Sequence, residues 1–201
     1  SRLLWSWNKY YYLNGGISIM SELRTNRIVP RDGLPSGASG GGIIQVVQNV
    51  VTSGSTGNGG TPASVMTCSI TPTSSANKIL VMVDTNVGSS NGYNTVAYLY
   101  RGTGGSGTKI YFGDASTNRP SVSKTATAYG SSGSTYNQIP LQIIYLDSPS
   151  STSQITYDLR LASYSGVYWS FNRSYANQAD TSYSFYDGQN ASSMTLMEVC
   201  G

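Results

Sequence analysis

The stretch KILVMVD, residues 78–84, sets five consecutive apolar side chains between two charges. It is too short for a helix, and it is rich in the branched side chains that suit a pleated strand. A strand with one wet face alternates apolar and polar residues, because successive side chains point to opposite faces. Ile79, Leu80, Val81, Met82 and Val83 instead put apolar groups on both faces, so both need a cover. With no helical periodicity nearby, the expected covers are a second sheet on one side and a neighbouring subunit on the other. The stretch therefore predicts an all-β, self-associating domain with this strand innermost, and Leu80 and Met82 at a subunit interface.

Further strand candidates follow at short intervals: residues 43–51 (IIQVVQNVV), 63–70, 95–101, 109–112, 121–128, 139–146, 154–162, 166–173, 181–186 and 193–199. Clusters of Gly, Pro, Ser and Asn separate them, and residues 52–62, TSGSTGNGGTP, read as a loop. This spacing predicts a sandwich or jelly roll. In QITYDLRLA, Ile155, Tyr157, Leu159 and Leu161 take the inward face and Thr156, Asp158 and Arg160 the outward one. In GVYWSFNR, Val167, Trp169 and Phe171 point inward. Residues 139–146, like 79–83, are apolar on both faces.

Only 10% of the 201 residues are charged, against about 25% in ordinary soluble domains. Ser, Thr, Asn, 23 Gly and 16 Tyr take their place, giving a neutral, hydrogen-bonding surface suited to a protein outside cells. The net charge of +3 belongs to residues 1–33, where Arg2, Lys9, Arg24, Arg27 and Arg31 face only Glu22 and Asp32. The remainder balances to zero and carries no electrostatic footprint for nucleic acid or an anionic membrane. No segment approaches the roughly 18 apolar residues that span a bilayer, so membrane insertion is not expected.

With no His in the chain, Ser–His–Asp and Cys–His nucleophile systems are excluded and the commonest metal ligand is missing. Neither a metal nor a cofactor is expected. Cys68 shares an alternating face with Met66 and Ile70, which suits a buried free thiol; a Cys68–Cys200 disulfide is the alternative. The GxGxxG match at residues 102–107 precedes another strand rather than a helix, so it reads as a hairpin loop and not a phosphate cradle. Asp84, Asp114 and Asp147 lie at strand ends, where two could pair as in a glycosidase. Asp at a strand end is also ordinary turn chemistry, and the chain is read as a non-enzyme.

Recognition is expected from loop tyrosines. Tyr129, Tyr136, Tyr164, Tyr175, Tyr183 and Tyr186 stand beside Ser, Asn and Gly, as in paratopes, where a ring supplies contact area with few rotors to freeze. The alternative is that several are partly buried edge or interface residues.

The N-terminal region reads differently. Leu23, Arg24, Asn26, Arg27, Ile28, Val29 and Pro30 suit an extended arm, and Pro30, Gly33, Pro35 and Gly37 then forbid regular structure. Such an arm gains order only on another chain, so these residues are the expected anchor. Residues 40–42, GGG, give a joint, which divides the chain into an arm at 1–39 and a head domain at 40–201. Met20 reads as the translation start, with 1–19 upstream of it; the rival reading is an aromatic anchor peptide built on Trp5, Trp7 and residues 10–12.

MSELRTNRIVPRDGLPSG followed by GGGIIQVVQ resembles the arm and first strand of virion fibre or spike proteins of tailed phages, especially marine and cyanobacterial ones. SITPTSSANKILVMVD, IYLDSPSSTSQITYDLRL and SSMTLMEV resemble the C-terminal jelly-roll domain of the same proteins. The resemblance covers residues 20–201. It implies a homotrimer on the particle exterior, with a tumour-necrosis-factor-like jelly-roll head. The arm would attach to other virion proteins and the head would engage a host surface glycan or protein. A capsid fibre, decoration or collar protein without specific receptor binding is the second implied role.

Overall fold

In the computed structural model, residues 39–201 form one compact unit, and residues 42–90, 93–127, 136–176 and 188–201 are described. The arm residues Leu23 to Pro30 and most of the glycine joint lie outside the described residues, as does the strand candidate at 181–186. The described chain is a β sandwich of two antiparallel sheets with no α-helix.

In the first sheet, β4 (Lys78–Ser89) is central. Along one edge it pairs with β11 (Ser192–Val199) and then with β10 (Tyr168–Phe171), and along the other with β8 (Ile139–Asp147). Outside these lie β1 (Ile43–Val51) on β11 and β2 (Ser55–Asn58) on β10. The second sheet runs β3 (Ala63–Ile70), β9 (Ile155–Ser163), β5 (Asn94–Arg101), with β6 (Thr108–Ile110) and β7 (Lys124–Thr127) both on β5. β1 and β3 coincide with their predicted bounds.

β6, β7 and β10 are shorter than predicted, and two further elements differ for reasons the packing supplies. β4 runs on through Thr85–Ser89 because β8 and β10 bury this polar stretch, leaving Thr85 and Ser89 each 1% exposed. The presumed loop at 52–62 contains β2. Gly57 there pairs with Trp169, and a Cβ at Gly57 would sit 2.2 Å from the indole. Absence of a side chain is what lets a low-complexity segment close over the ring.

The core joins Ile79, Val81 and Val83 of β4 to Leu99 of β5 and Tyr157, Leu159 and Leu161 of β9. Burying each such side chain stabilises by about 1.5–3 kcal/mol. Trp169 and Phe171 point inward as expected. Asp158 does occupy the outward face of β9, yet it is 1% exposed, because Ser64 Oγ and Arg160 Nε both donate to it. Cys68 is buried and both cysteines are free thiols. Burial pushes the Cys68 thiol pKa up, despite lowering contacts from the Ser69 and Asn49 backbone.

Glu198 near the end of β11 is fully buried and makes no ion pair among the described residues. Asn77 Nδ2 (2.6 Å), Gln45 Nε2 (2.6 Å), Thr73 Oγ1 (2.8 Å) and Thr73 N (2.7 Å) all donate to its carboxylate. Burial alone raises its pKa, but these four bonds outweigh it and hold the group down to about 2. The carboxylate thereby fastens β1, the β3–β4 turn and β11 together. The depressed native pKa means that the unfolded chain binds the extra proton. The contribution is full above the ordinary carboxylate range and lost as pH falls towards 2, amounting to at most about 3 kcal/mol. Urea titrations from pH 7 to 2 should show a flatter stability profile for Glu198→Gln than for wild type. At pH 7 the variant should be weaker by about 1–3 kcal/mol.

Candidate functional site

The sequence offered two kinds of place for chemistry, the GxGxxG match and the strand-end aspartates. Residues 102–107 form the β5–β6 hairpin through a single 3-10 turn at Gly104–Ser106. Gly102 and Gly104 adopt φ of +92° and +60°, conformations that favour glycine.

Asp147 is 4% exposed and spans the two sheets. Arg101 Nη1 donates to both its oxygens (3.1 and 3.3 Å) and Tyr157 Oη donates to Oδ2 at 2.7 Å. Burial and the bond to this carboxylate push the Tyr157 pKa up, so its phenol stays protonated. Asp84 lies on the opposite, outer face of β4 and accepts from Gln142 Nε2 at 3.2 Å. Asp147 pairs with Ile79, five residues along β4 from Asp84, or roughly 16 Å at strand rise. Asp84 and Asp147 therefore do not meet as a carboxylate pair. Asp114 is exposed in the segment after β6. Among the described residues no three Cys, Asp or Glu side chains gather into a metal site, and no helix is long and apolar enough to cross a membrane.

What the fold does assemble is a tyrosine-walled cleft of about 700 Å³ on the outer face of the second sheet. This size is within the range of small-ligand sites. Its floor is Val96 and Ala162, paired across β5 and β9, and the flanking pair Thr95–Ser163 sets the start of β5 beside the end of β9. Tyr93 precedes β5 and Tyr164 follows β9, so this register brings the two rings together. Their centroids are 6.3 Å apart with planes 22° from parallel, and they are 54% and 72% exposed. Tyr98 and Pro120 complete the apolar wall, while exposed Asn94 and Ser165 supply polar groups. Tyr98 is contacted by Lys109, whose Nζ lies 5.6 Å from the ring centroid and donates to Ser121 O. No lining residue is charged.

Of the nominated tyrosines among the described residues, Tyr164 alone lines this cleft. Tyr136 is exposed elsewhere, and Tyr175 packs on Tyr168 at 5.3 Å. Tyr129, Tyr183 and Tyr186 lie outside the described residues. The sequence reading missed Tyr93 and Tyr98. A signal for Tyr98 was present in TVAYLYR, where inward Ala97 and Leu99 leave Val96, Tyr98 and Tyr100 on the outer face.

A second surface is apolar rather than aromatic. On the outer face of the first sheet, Leu146, Leu80, Met197 and Val46 line up across β8, β4, β11 and β1. The adjacent row holds Ile144 and Met82 followed by Thr195 and Gln48. Val46, Ile144 and Leu146 are 55%, 60% and 46% exposed.

No known protein family and no characterised protein matches this sequence.

If Asp147 is structural, Asp147→Asn should cost about 2–4 kcal/mol in denaturant unfolding by stranding Arg101 and weakening the bond from Tyr157. Asp84→Asn, at an exposed site, should stay within about 0.5 kcal/mol of wild type.

Proposed function

We propose that the chain is the subunit of a homotrimeric fibre or spike on the exterior of a tailed-phage particle, whose head binds the host cell surface. The sandwich is read as a tumour-necrosis-factor-like jelly roll, a reading supported by the orders β1-β11-β4-β8 and β3-β9-β5-β7. The observation that carries the proposal is the apolar outer face of the first sheet. Monomers rarely leave such a contiguous patch bare, and covering each half-exposed side chain would contribute about 1 kcal/mol. Leu80 and Met82 sit in its centre and are assigned to the threefold interface, with Ile144, Leu146, Met197 and Val46 around them.

The cleft of the second sheet lies on the opposite outer face, so association through the first sheet leaves it open to a ligand. The head acts by binding, not turnover, which the separation of Asp84 from Asp147 supports. The arm, with Leu23, Arg24, Asn26, Arg27, Ile28, Val29 and Pro30, docks on other virion proteins. Its ordering cost of roughly 1–2 kcal/mol per residue needs a partner surface.

Light-scattering mass measurement should give three chains for the wild type, and a folded monomer for the double variant Met82→Asp, Ile144→Asp. A stable wild-type monomer would overturn the assembly. Deleting residues 1–39 should leave a trimer that still binds host cells and no longer joins particles. A trimer that binds no host cell would favour a capsid decoration or collar role instead.

A further inference from the structure

We infer that the cleft between Tyr93, Tyr98 and Tyr164 is a binding site for a neutral saccharide. The inference rests on reading the head as a host-binding module, and it names the ligand class and the residues that would hold it.

Three observations point to a sugar. First, the two most exposed rings of the cleft are nearly parallel and already lie within the 4.5–7 Å spacing of offset aromatic pairs. The stack steadies both rings, so the ring faces left open need little further ordering, and a ring with two rotors gives contact area at small entropic cost. At 6.3 Å the gap is too narrow for a third ring to slide between them. A ligand therefore stacks on an open ring face of the pair, presenting a flat face of C–H groups, as a pyranose does.

Second, the polar groups are of the kind that reads hydroxyls. The phenols of Tyr93 and Tyr164, the Asn94 amide and the Ser165 hydroxyl each donate and accept. A ligand carrying many O–H groups, each itself donor and acceptor, is matched by this set. A purely apolar ligand would leave it unsatisfied.

Third, the cleft has no charge of either sign. Lys109, which contacts the Tyr98 ring, is already engaged by Phe112 and the Ser121 carbonyl as well, and Arg119, next to Pro120, is not among the lining residues. Sialylated, sulfated or phosphorylated sugars would surrender hydration without gaining an ion pair. Nucleic acid lacks the cations that its phosphates require.

The test uses the full chain, with glucose, galactose, mannose and N-acetylglucosamine oligomers as probes beside sialylated and sulfated counterparts. Binding would be followed by calorimetry and by saturation transfer to the sugar C–H protons. At least one neutral oligomer should bind with an affinity nearly independent of salt. Tyr164→Ala and Tyr93→Ala should each weaken it about tenfold, whereas Tyr164→Phe should keep stacking and stay within about threefold. Both positions are exposed, so the variants should fold as wild type does.

Binding confined to anionic sugars, binding unaffected by both alanine variants, or capture of an apolar peptide in place of every sugar would overturn the proposal. Host-cell binding by wild type and both variants alike would sink the cleft while sparing the host-binding reading. Sugar binding without cell attachment would do the reverse.

Discussion

β4 is hydrogen-bonded along both edges and carries apolar side chains on both faces. Its edges gather β8, β11 and β10. Its inner face, through Ile79, Val81 and Val83, supplies one side of the core, and the second sheet supplies the other. Its outer face, through Leu80 and Met82, is the middle of the apolar rows from β8 to β1. The same five residues thus fix the sheet, close the sandwich and leave an apolar surface on its outer side.

Around this strand, buried carboxylates are used as fasteners. Only nine acidic residues occur in the chain, and three of them, Asp147, Asp158 and Glu198, are almost fully buried. Asp147 binds Arg101 and Tyr157 across the sheets, Asp158 binds Arg160 two residues along its own strand, and Glu198 relies on neutral donors alone. A buried charge is tolerated only when each of its lone pairs finds a donor. In all three cases those donors come from groups that define the fold, which leaves these carboxylates committed to structure. Arg160 in addition lies 3.9 Å from the Tyr100 ring, sealing Asp158 beneath the outer face of the second sheet.

The two outer faces consequently differ in chemistry. That of the first sheet is mainly aliphatic around Leu80, Met82, Ile144 and Leu146, with polar Asp84, Gln142 and Thr195 beside them. That of the second carries tyrosines and a concavity at the ends of β5 and β9. The first face therefore offers aliphatic contact area, and the second offers rings that carry both an apolar body and a hydroxyl. A sandwich can keep the two apart because its sheets face away from each other.

Strand identity was legible wherever apolar side chains set the period: β1 and β3 begin and end at the predicted residues, and β9 alternates as QITYDLRLA requires. The two-faced character of residues 79–83 was equally plain, since it depends only on local pattern. Two polar stretches were not legible. Ser55–Asn58 becomes β2 because Trp169, more than a hundred residues later, needs the space above Gly57, and Thr85–Ser89 extends β4 because two distant strands bury it. Nor was the cleft, because Tyr93 and Tyr164 are brought together only by the pairing of Thr95 with Ser163. Local sequence determines which face of a strand each side chain takes, through the fixed two-residue period. Which faces meet, and which residues become neighbours across strands, follows from long-range register, which only the tertiary structure decides.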